Sequence, residues 1–248
     1  GHRNKVYILP LQYLVLKLSG LTPLVCCKIT IKQPEMPVFY QSFYLFLQLQ
    51  RVQVSGNHIA NSGQTIIRGD LLANGLTILP WREKVVDFST PTFPTGVWLI
   101  ARADSPLKPI VPSGNIETDI AMTKQLLAGH TLLTMKGTCL DPDLYALTQV
   151  GARIVLHTSS QDLSDIAPSI LEGKADTAIL DIPDALIALQ KWPGEIKVIG
   201  PISRPQLMAV AFPKSSPQLK KAFNDFFALC WQDGTYERLV RKYYPSVF

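Results

Sequence analysis

A short pattern occurs twice in this 248-residue chain, as Arg68-Gly69-Asp70-Leu71-Leu72-Ala73-Asn74-Gly75-Leu76-Thr77 and as Gly173-Lys174-Ala175-Asp176-Thr177-Ala178-Ile179-Leu180-Asp181. Each copy places a Gly and a basic residue just before an Asp, then an apolar run, then a polar end. That order is a helix giving way to a strand, with polar groups delivered where the strand stops. Two such steps predict two similar α/β lobes. A cleft between two lobes is a natural place to hold a small molecule.

The remaining punctuation agrees. Asp70–Thr77 reads as a strand running into a loop, and strands are expected at Val97–Ala101, Thr131–Met135, Ala152–Leu156, Thr177–Leu180, Ile196–Ile199 and Gln206–Phe212. Ala152–Leu156 reads as buried. Helices are expected as a single turn at Pro80–Lys84, then at Ile116–Leu127, from Thr138 to about Gln149, and at Ser159–Glu172, Pro183–Gln190, Ser216–Trp231 and Thr235–Tyr243. Leu163, Ile166, Ile170 and Leu171 share one helical face, and Asp233-Gly234 joins the last two helices. Strands alternating with helices at this spacing predict parallel α/β sheets. Residues 1–67 have little punctuation beyond Ser55-Gly56 and Ser62-Gly63.

Composition excludes several classes. At 47% hydrophobic and 17% charged the chain is an ordinary globular protein, long enough for one large or two small domains. The net charge of +5 is scattered, with pairs such as Lys220-Lys221 and Arg241-Lys242 rather than a basic stripe, so no nucleic-acid partner is expected. Cys26, Cys27, Cys139 and Cys230 form neither a disulfide framework nor a Cys-x-x-Cys. His2, His58, His130 and His157 lack metal-ligand spacing, and no nucleophile elbow, phosphate loop or dinucleotide glycine pattern occurs. No cofactor or metal is therefore expected. The basic start through Lys5 and the apolar stretch Val6–Cys27 have the order of a signal peptide or lipid-anchor signal, and read equally as core. Lys17 argues against a membrane span there, because the run barely reaches the ~20 residues needed.

Three places carry binding chemistry. The first is Asn74, Gly75, Thr77 and Arg82, where a strand ends, the usual ligand position in open α/β sheets. Arg offers a planar fork of donors that fits a carboxylate, Thr adds a hydroxyl, and Gly lets backbone approach closely. An Arg in a loop is equally a surface ion-pair partner. The second is Lys136-Gly137-Thr138-Cys139, read as a helix start whose N–H groups attract an anion, or as a plain N-cap at Thr138. The third is Asp181, before Pro183, which either pairs with an ammonium group or caps the following helix. Asp141 and Asp143 read as structural, at a helix start.

In order and spacing these motifs resemble the extracellular solute-binding proteins of amino-acid ABC transporters, the type 2 periplasmic binding proteins. The resemblance covers about residues 68–248. It rests on Gly69-Asp70, Gly75-Leu76-Thr77, Arg82, Val85-Val86-Asp87-Phe88-Ser89, Lys136-Gly137-Thr138, Gly173-Lys174-Ala175-Asp176 with Asp181, and Asp233-Gly234-Thr235 before Tyr243-Tyr244. It implies a two-lobed, Venus-flytrap α/β fold with a hinge of two crossing strands. One lobe would comprise residues 1–96 plus 204–248 and the other 97–203. It further implies that Arg82, Thr77 and Thr138 hold a ligand carboxylate and that Asp181 holds the ammonium. Cys139 stands where a hydroxyl residue frequently occurs. Donors from both lobes would let an amino acid favour the closed state.

The implied partners are a small polar solute and an ABC permease of the inner membrane, the implied location is the periplasm, and no enzymatic activity is implied. Residues 1–67 depart from the family. The helix expected before Gly69 is replaced by Ser55-Gly56-Asn57-His58 and Asn61-Ser62-Gly63, poor helix material, and Pro37-Val38-Phe39 is a faint echo of an aromatic-proline turn. Two rivals use the same scaffold. One is a dehydratase of the cyclohexadienyl type, which needs a general acid that the helix-end Glu172 is poorly placed to supply. The other is a sensor module joined to a kinase or lytic transglycosylase, an option lowered by the chain stopping at Phe248.

Overall fold

The computed structural model of the protein describes residues 71–157 and 163–245. The readings made for residues 1–67, for Gly69-Asp70 and for the start of the Ser159–Glu172 helix lie outside them.

The strands are β1 (Leu72–Thr77), β2 (Val86–Phe88), β3 (Phe93–Thr95), β4 (Val97–Arg102), β5 (Thr131–Thr134), β6 (Arg153–Leu156), β7 (Thr177–Asp181), β8 (Ile196–Pro201) and β9 (Gln206–Pro213). The helices are α1 (Pro80–Glu83), α2 (Ile116–Gln125), α3 (Ile166–Leu171), α4 (Ile182–Lys191), α5 (Pro217–Gln232) and α6 (Thr235–Tyr243). The chain forms two compact units, with crossings at Phe93–Pro94 and Leu207–Met208.

In the first unit, whose described residues are 71–93 and 208–245, β9 pairs antiparallel with β1 and with β2, and β3 also joins it. Helix α5 starts with Pro217, whose missing N–H costs nothing in a first turn. It buries Leu219, Phe223, Phe227 and Cys230, spaced so that all four share one face. Phe223 packs on Phe212 at 5.7 Å between ring centroids, and Phe227 meets Tyr236 of α6 edge-on at 5.3 Å. Gly234, at φ 73°, makes the reversal between α5 and α6 that Asp233-Gly234 foretold. The Tyr236 hydroxyl donates to Thr92 O, and burial pushes its pKa up to about 12.

The second unit, Pro94–Leu207, holds a five-stranded sheet in the order β6-β5-β7-β4-β8. Strands β5, β6 and β7 are parallel, but β4 runs antiparallel to both neighbours, so the sheet is mixed rather than parallel. The helix-strand alternation does govern β7 and β8, which α4 joins and which run the same way. It fails for β4, because the long connection 103–115 turns the chain before α2 begins. There Asn115 caps the helix, accepting from Glu117 N and Thr118 N.

Two further expectations are corrected. β6 is an edge strand, not a buried one, and Leu156 is 53% exposed. The helix expected from Thr138 to Gln149 is replaced by a turn and two single-turn 3₁₀ segments, Pro142–Tyr145 and Leu147–Val150. Between them Ala146 adopts a left-handed conformation, φ 53°, which a continuous helix cannot contain.

The parallel strands are tied where β5 and β7 begin. Asp176 Oδ2 accepts from Thr131 N at 2.9 Å and from Thr131 Oγ1 at 2.7 Å, and that hydroxyl accepts from Asp176 N at 2.8 Å. The Thr131 amide, then its hydroxyl, hold the Asp176 carboxyl below its ordinary value of 3.8. A depressed carboxyl adds stability that is present above its unfolded pKa and is lost as pH falls through the folded one. Asp176→Asn should therefore be less stable than the native chain at pH 7, with the two urea midpoints converging as the pH drops below 3.8. A gap that persisted in acid would show that the charge contributes nothing.

Gly200 in β8 offers a second check. A Cβ added there would collide with Thr123 Oγ1 of α2 and press on Ile110 Cγ1 at 3.0 Å. Thr123 is fully buried and its hydroxyl is committed to Asp119 O. Gly200→Ala should cost about 1–3 kcal/mol in urea unfolding, as overpacking does.

Candidate functional site

The polar end of β1 is built first. Gly75, at φ 71°, sits where the pairing with β9 shifts register between Leu72 and Leu76, so a side chain there would be strained. Asn74 lies in the same irregular stretch of β1. The strand then delivers Thr77, 1% exposed, and Pro80 starts α1 two residues before Arg82, 5% exposed. Arg82 Nη1 donates to Thr77 O at 2.8 Å, and its guanidinium lies 5.0 Å from the centroid of the Trp81 ring. The first unit thus brings Gly75, Thr77 and Arg82 to one place, and Arg82 is not the exposed surface residue that a loop Arg commonly is. Among the described residues Thr77 Oγ1 has no hydrogen-bond partner, although it is buried.

In the second unit the Lys136–Cys139 segment is no helix start. Gly137, at φ 75°, turns the chain, and Met135 N donates to Leu140 O to close the loop. Thr138 Oγ1 donates to Met135 O at 2.8 Å and accepts from Leu140 N at 3.0 Å. Its hydroxyl is spent on holding the loop, so the N-cap and dipole readings both give way to a self-bonded turn. Asp141 accepts from Gly137 N and Asp143 N, which makes it structural as expected, although at a 3₁₀ turn rather than an α-helix.

Asp181 ends β7 and is 5% exposed. Its Oδ1 accepts from Asp184 N at 3.1 Å, so it does cap α4. Its Oδ2 lies 4.0 Å from Cys139 Sγ, which puts the thiol and the carboxylate on one spot. The capping reading of Asp181 is thus the one its geometry shows, with the Cys139 loop beside its second oxygen.

Three residues here escaped the sequence reading. Tyr145 donates its hydroxyl to Cys139 O at 2.7 Å, Gln206 Nε2 reaches the Tyr145 oxygen at 3.4 Å, and Thr134 Oγ1 is buried with no partner among the described residues. No motif marks them, because each matters through its neighbour in space. Glu172 is exposed and pairs with Lys174. No three His, Cys, Asp or Glu among the described residues are grouped to hold a metal ion, and no described helix is long and apolar enough to cross a membrane.

One unit thus presents a buried guanidinium beside a hydroxyl, the other a buried carboxylate beside a thiol. The first suits an anion and the second a cation.

Comparison with known proteins agrees with the architecture. The chain is 25% identical over 195 residues to "Amino-acid-binding protein AabA" of Dichelobacter nodosus, covering 76% of this chain and 71% of that one. It is 27% identical over 182 residues to "Membrane-bound lytic murein transglycosylase F" of Desulfosudis oleivorans, covering 72% of this chain but only 37% of that protein. Among solved structures, a mutant of ArgBP from T. maritima superimposes with a TM-score of 0.59 at 23% identity, over 72% and 70% of the two chains. The ancestral amino-acid-binding protein AncCDT-1, described as a precursor of cyclohexadienyl dehydratase, gives 0.55 at 20% identity, over 72% and 69%. The mixed α/β fold with two sheets is that of type 2 periplasmic binding proteins. The model of one family matches residues 48–246, and the chain belongs to that family, the bacterial extracellular solute-binding proteins, family 3.

Proposed function

We propose that this protein is a periplasmic solute-binding protein that captures an amino acid, or a similar small polar solute, for an ABC permease in the inner membrane. The observation that carries the reading is the pair formed by Arg82 and Thr77: a buried guanidinium held by a backbone oxygen, next to a buried hydroxyl with no partner among the described residues. An unspent buried hydroxyl costs about 1–3 kcal/mol, and a ligand carboxylate would recover it. On this reading Gly75 shapes the end of β1 that carries Thr77, Thr138 and Cys139 form the loop beside Asp181, and Asp181 takes the ammonium. The amino-acid binders among the relatives support the ligand class.

Thermal shift against the common L-amino acids tests the reading. A true ligand at a hundred times its Kd should add about 2.7 kcal/mol to folded-state stability. No shift with any of them, from a folded sample, would sink it. Arg82→Ala should weaken binding at least about a hundredfold, since a buried charged partner is worth several kcal/mol. Asp181→Asn keeps the α4 cap, because Asn caps as well as Asp. It should hurt amino acids far more than the matching amine-free carboxylates in calorimetry; equal losses would remove Asp181 from the ammonium role.

A second reading, a ligand-binding part of a larger membrane-bound enzyme, is favoured by the similarity to the transglycosylase, of which this chain spans 37%. Neighbouring genes for a permease and an ATPase would support transport, and a reading frame continuing into a catalytic domain would support the alternative.

A further inference from the structure

Gln206 opens β9, beyond the candidate residues already described. Its side-chain amide is anchored at one end: Nε2 donates to Tyr145 Oη at 3.4 Å. The anchor also fixes which way the amide points. Tyr145 has one hydroxyl proton, and it is committed to Cys139 O at 2.7 Å. Toward Gln206 the tyrosine oxygen can therefore only accept, so nitrogen must face it and oxygen must face away. The tyrosine is itself held from behind, since Lys124 Nζ donates to Tyr145 O at 2.8 Å. The result is a rigid, oriented carbonyl. That oxygen, Oε1, is buried and has no hydrogen-bond donor among the described residues. Leaving such an acceptor unpaired is costly, and a fixed one rejects any ligand that fails to complete it.

We infer that Gln206 Oε1 is a specificity-determining acceptor that takes an N–H from the ligand's side chain, so that the preferred solute is an amino acid with an amide or cationic side chain rather than an apolar or acidic one. The inference rests on the amino-acid reading above and deepens it. The chain Gln206–Tyr145–Cys139 adds a consequence. Tyr145 is a positioning residue that keeps the amide from turning over, because a phenylalanine there would let Gln206 present either end.

Calorimetry with L-glutamine, L-arginine, L-norleucine and L-glutamate on the native chain is the test. Glutamine or arginine should bind at least about tenfold tighter than norleucine and glutamate, one hydrogen bond's worth. Gln206→Leu should bring the ratio of glutamine to norleucine affinity close to one. Tyr145→Phe should narrow the gap between glutamine and glutamate, a change in selectivity that a loss of stability alone would not give. Norleucine or glutamate binding as tightly as glutamine and arginine overturns the inference and leaves the amino-acid reading standing. An unchanged ratio in a folded Gln206→Leu overturns it equally. No binding of any of the four by a folded sample overturns the inference, and the amino-acid reading falls with it only if no other common L-amino acid binds either.

Discussion

The second unit is organised around Val97, the first residue of β4. It is fully buried, and β4 as a whole lies between β7 and β8, antiparallel to each. Val97 N donates to Ser203 Oγ, and Val97 O accepts from Ile202 N and Ser203 N, so the chain leaving β8 is stitched to the start of β4. Next to it, Gly96 O accepts from Ile182 N, the first residue of α4. The pairing register sets Val97 opposite Asp181. One strand end therefore fixes the candidate carboxylate, the start of its helix and the segment leading to Gln206. A slip of one residue in β4 would reverse every side chain along it and break the Gly96 O–Ile182 N bond that anchors the start of α4. The Asp176–Thr131 clamp performs the matching task at the opposite end of β7.

That clamp explains much of what was legible in the sequence. The second Gly-basic-Asp step was read correctly as a helix ending and a strand beginning. Its Asp serves the fold, tying two parallel strands, while the polar end of the strand, Asp181, caps α4 beside the Cys139 loop. The first step is visible only from Leu71 onward, but its polar end, Thr77, also leads to a turn carrying an Arg. Helix positions were readable at several punctuated boundaries, as at Pro80, Pro183 and Asp233-Gly234. The direction of β4 was not readable, because strand polarity depends on how the 103–115 connection turns, and no local pattern encodes that. Nor was the break at Ala146. Asp141, Pro142 and Asp143 look like the start of an α-helix, yet Asp141 spends one oxygen on Gly137 N, and the loop closes on itself instead.

The loop that replaces the expected helix changes the chemistry available to Cys139. A helix start would have presented free N–H groups and a dipole to an anion. Here the Thr138 hydroxyl is consumed within the loop, and what the segment brings to Asp181 is a thiol at 4.0 Å. A thiol is a weaker donor than a hydroxyl, so Cys139 draws less from the carboxylate than a Ser or Thr at the same place would. The departure from a hydroxyl at this position thus concerns Asp181 as much as Cys139. With its other oxygen committed to the α4 cap, the carboxylate has its orientation set by the fold.

The distribution of unsatisfied polar atoms separates the site from the scaffold. Many buried hydroxyls elsewhere are spent: Ser89, Thr92, Thr95, Thr123, Thr138, Thr177 and Ser203 each hydrogen-bond to a backbone oxygen. Thr77, Thr134 and Gln206 keep buried oxygens with no partner among the described residues. All three lie at strand ends: Thr77 closes β1, Thr134 closes β5 just before the Lys136–Cys139 loop, and Gln206 opens β9. Packing errors would scatter such atoms through the interior, since each costs about 1–3 kcal/mol wherever it falls. Within each unit taken by itself they fall near candidate residues: Thr77 comes just before the turn that carries Arg82, while Thr134 leads into the Cys139 loop and Gln206 reaches it through Tyr145.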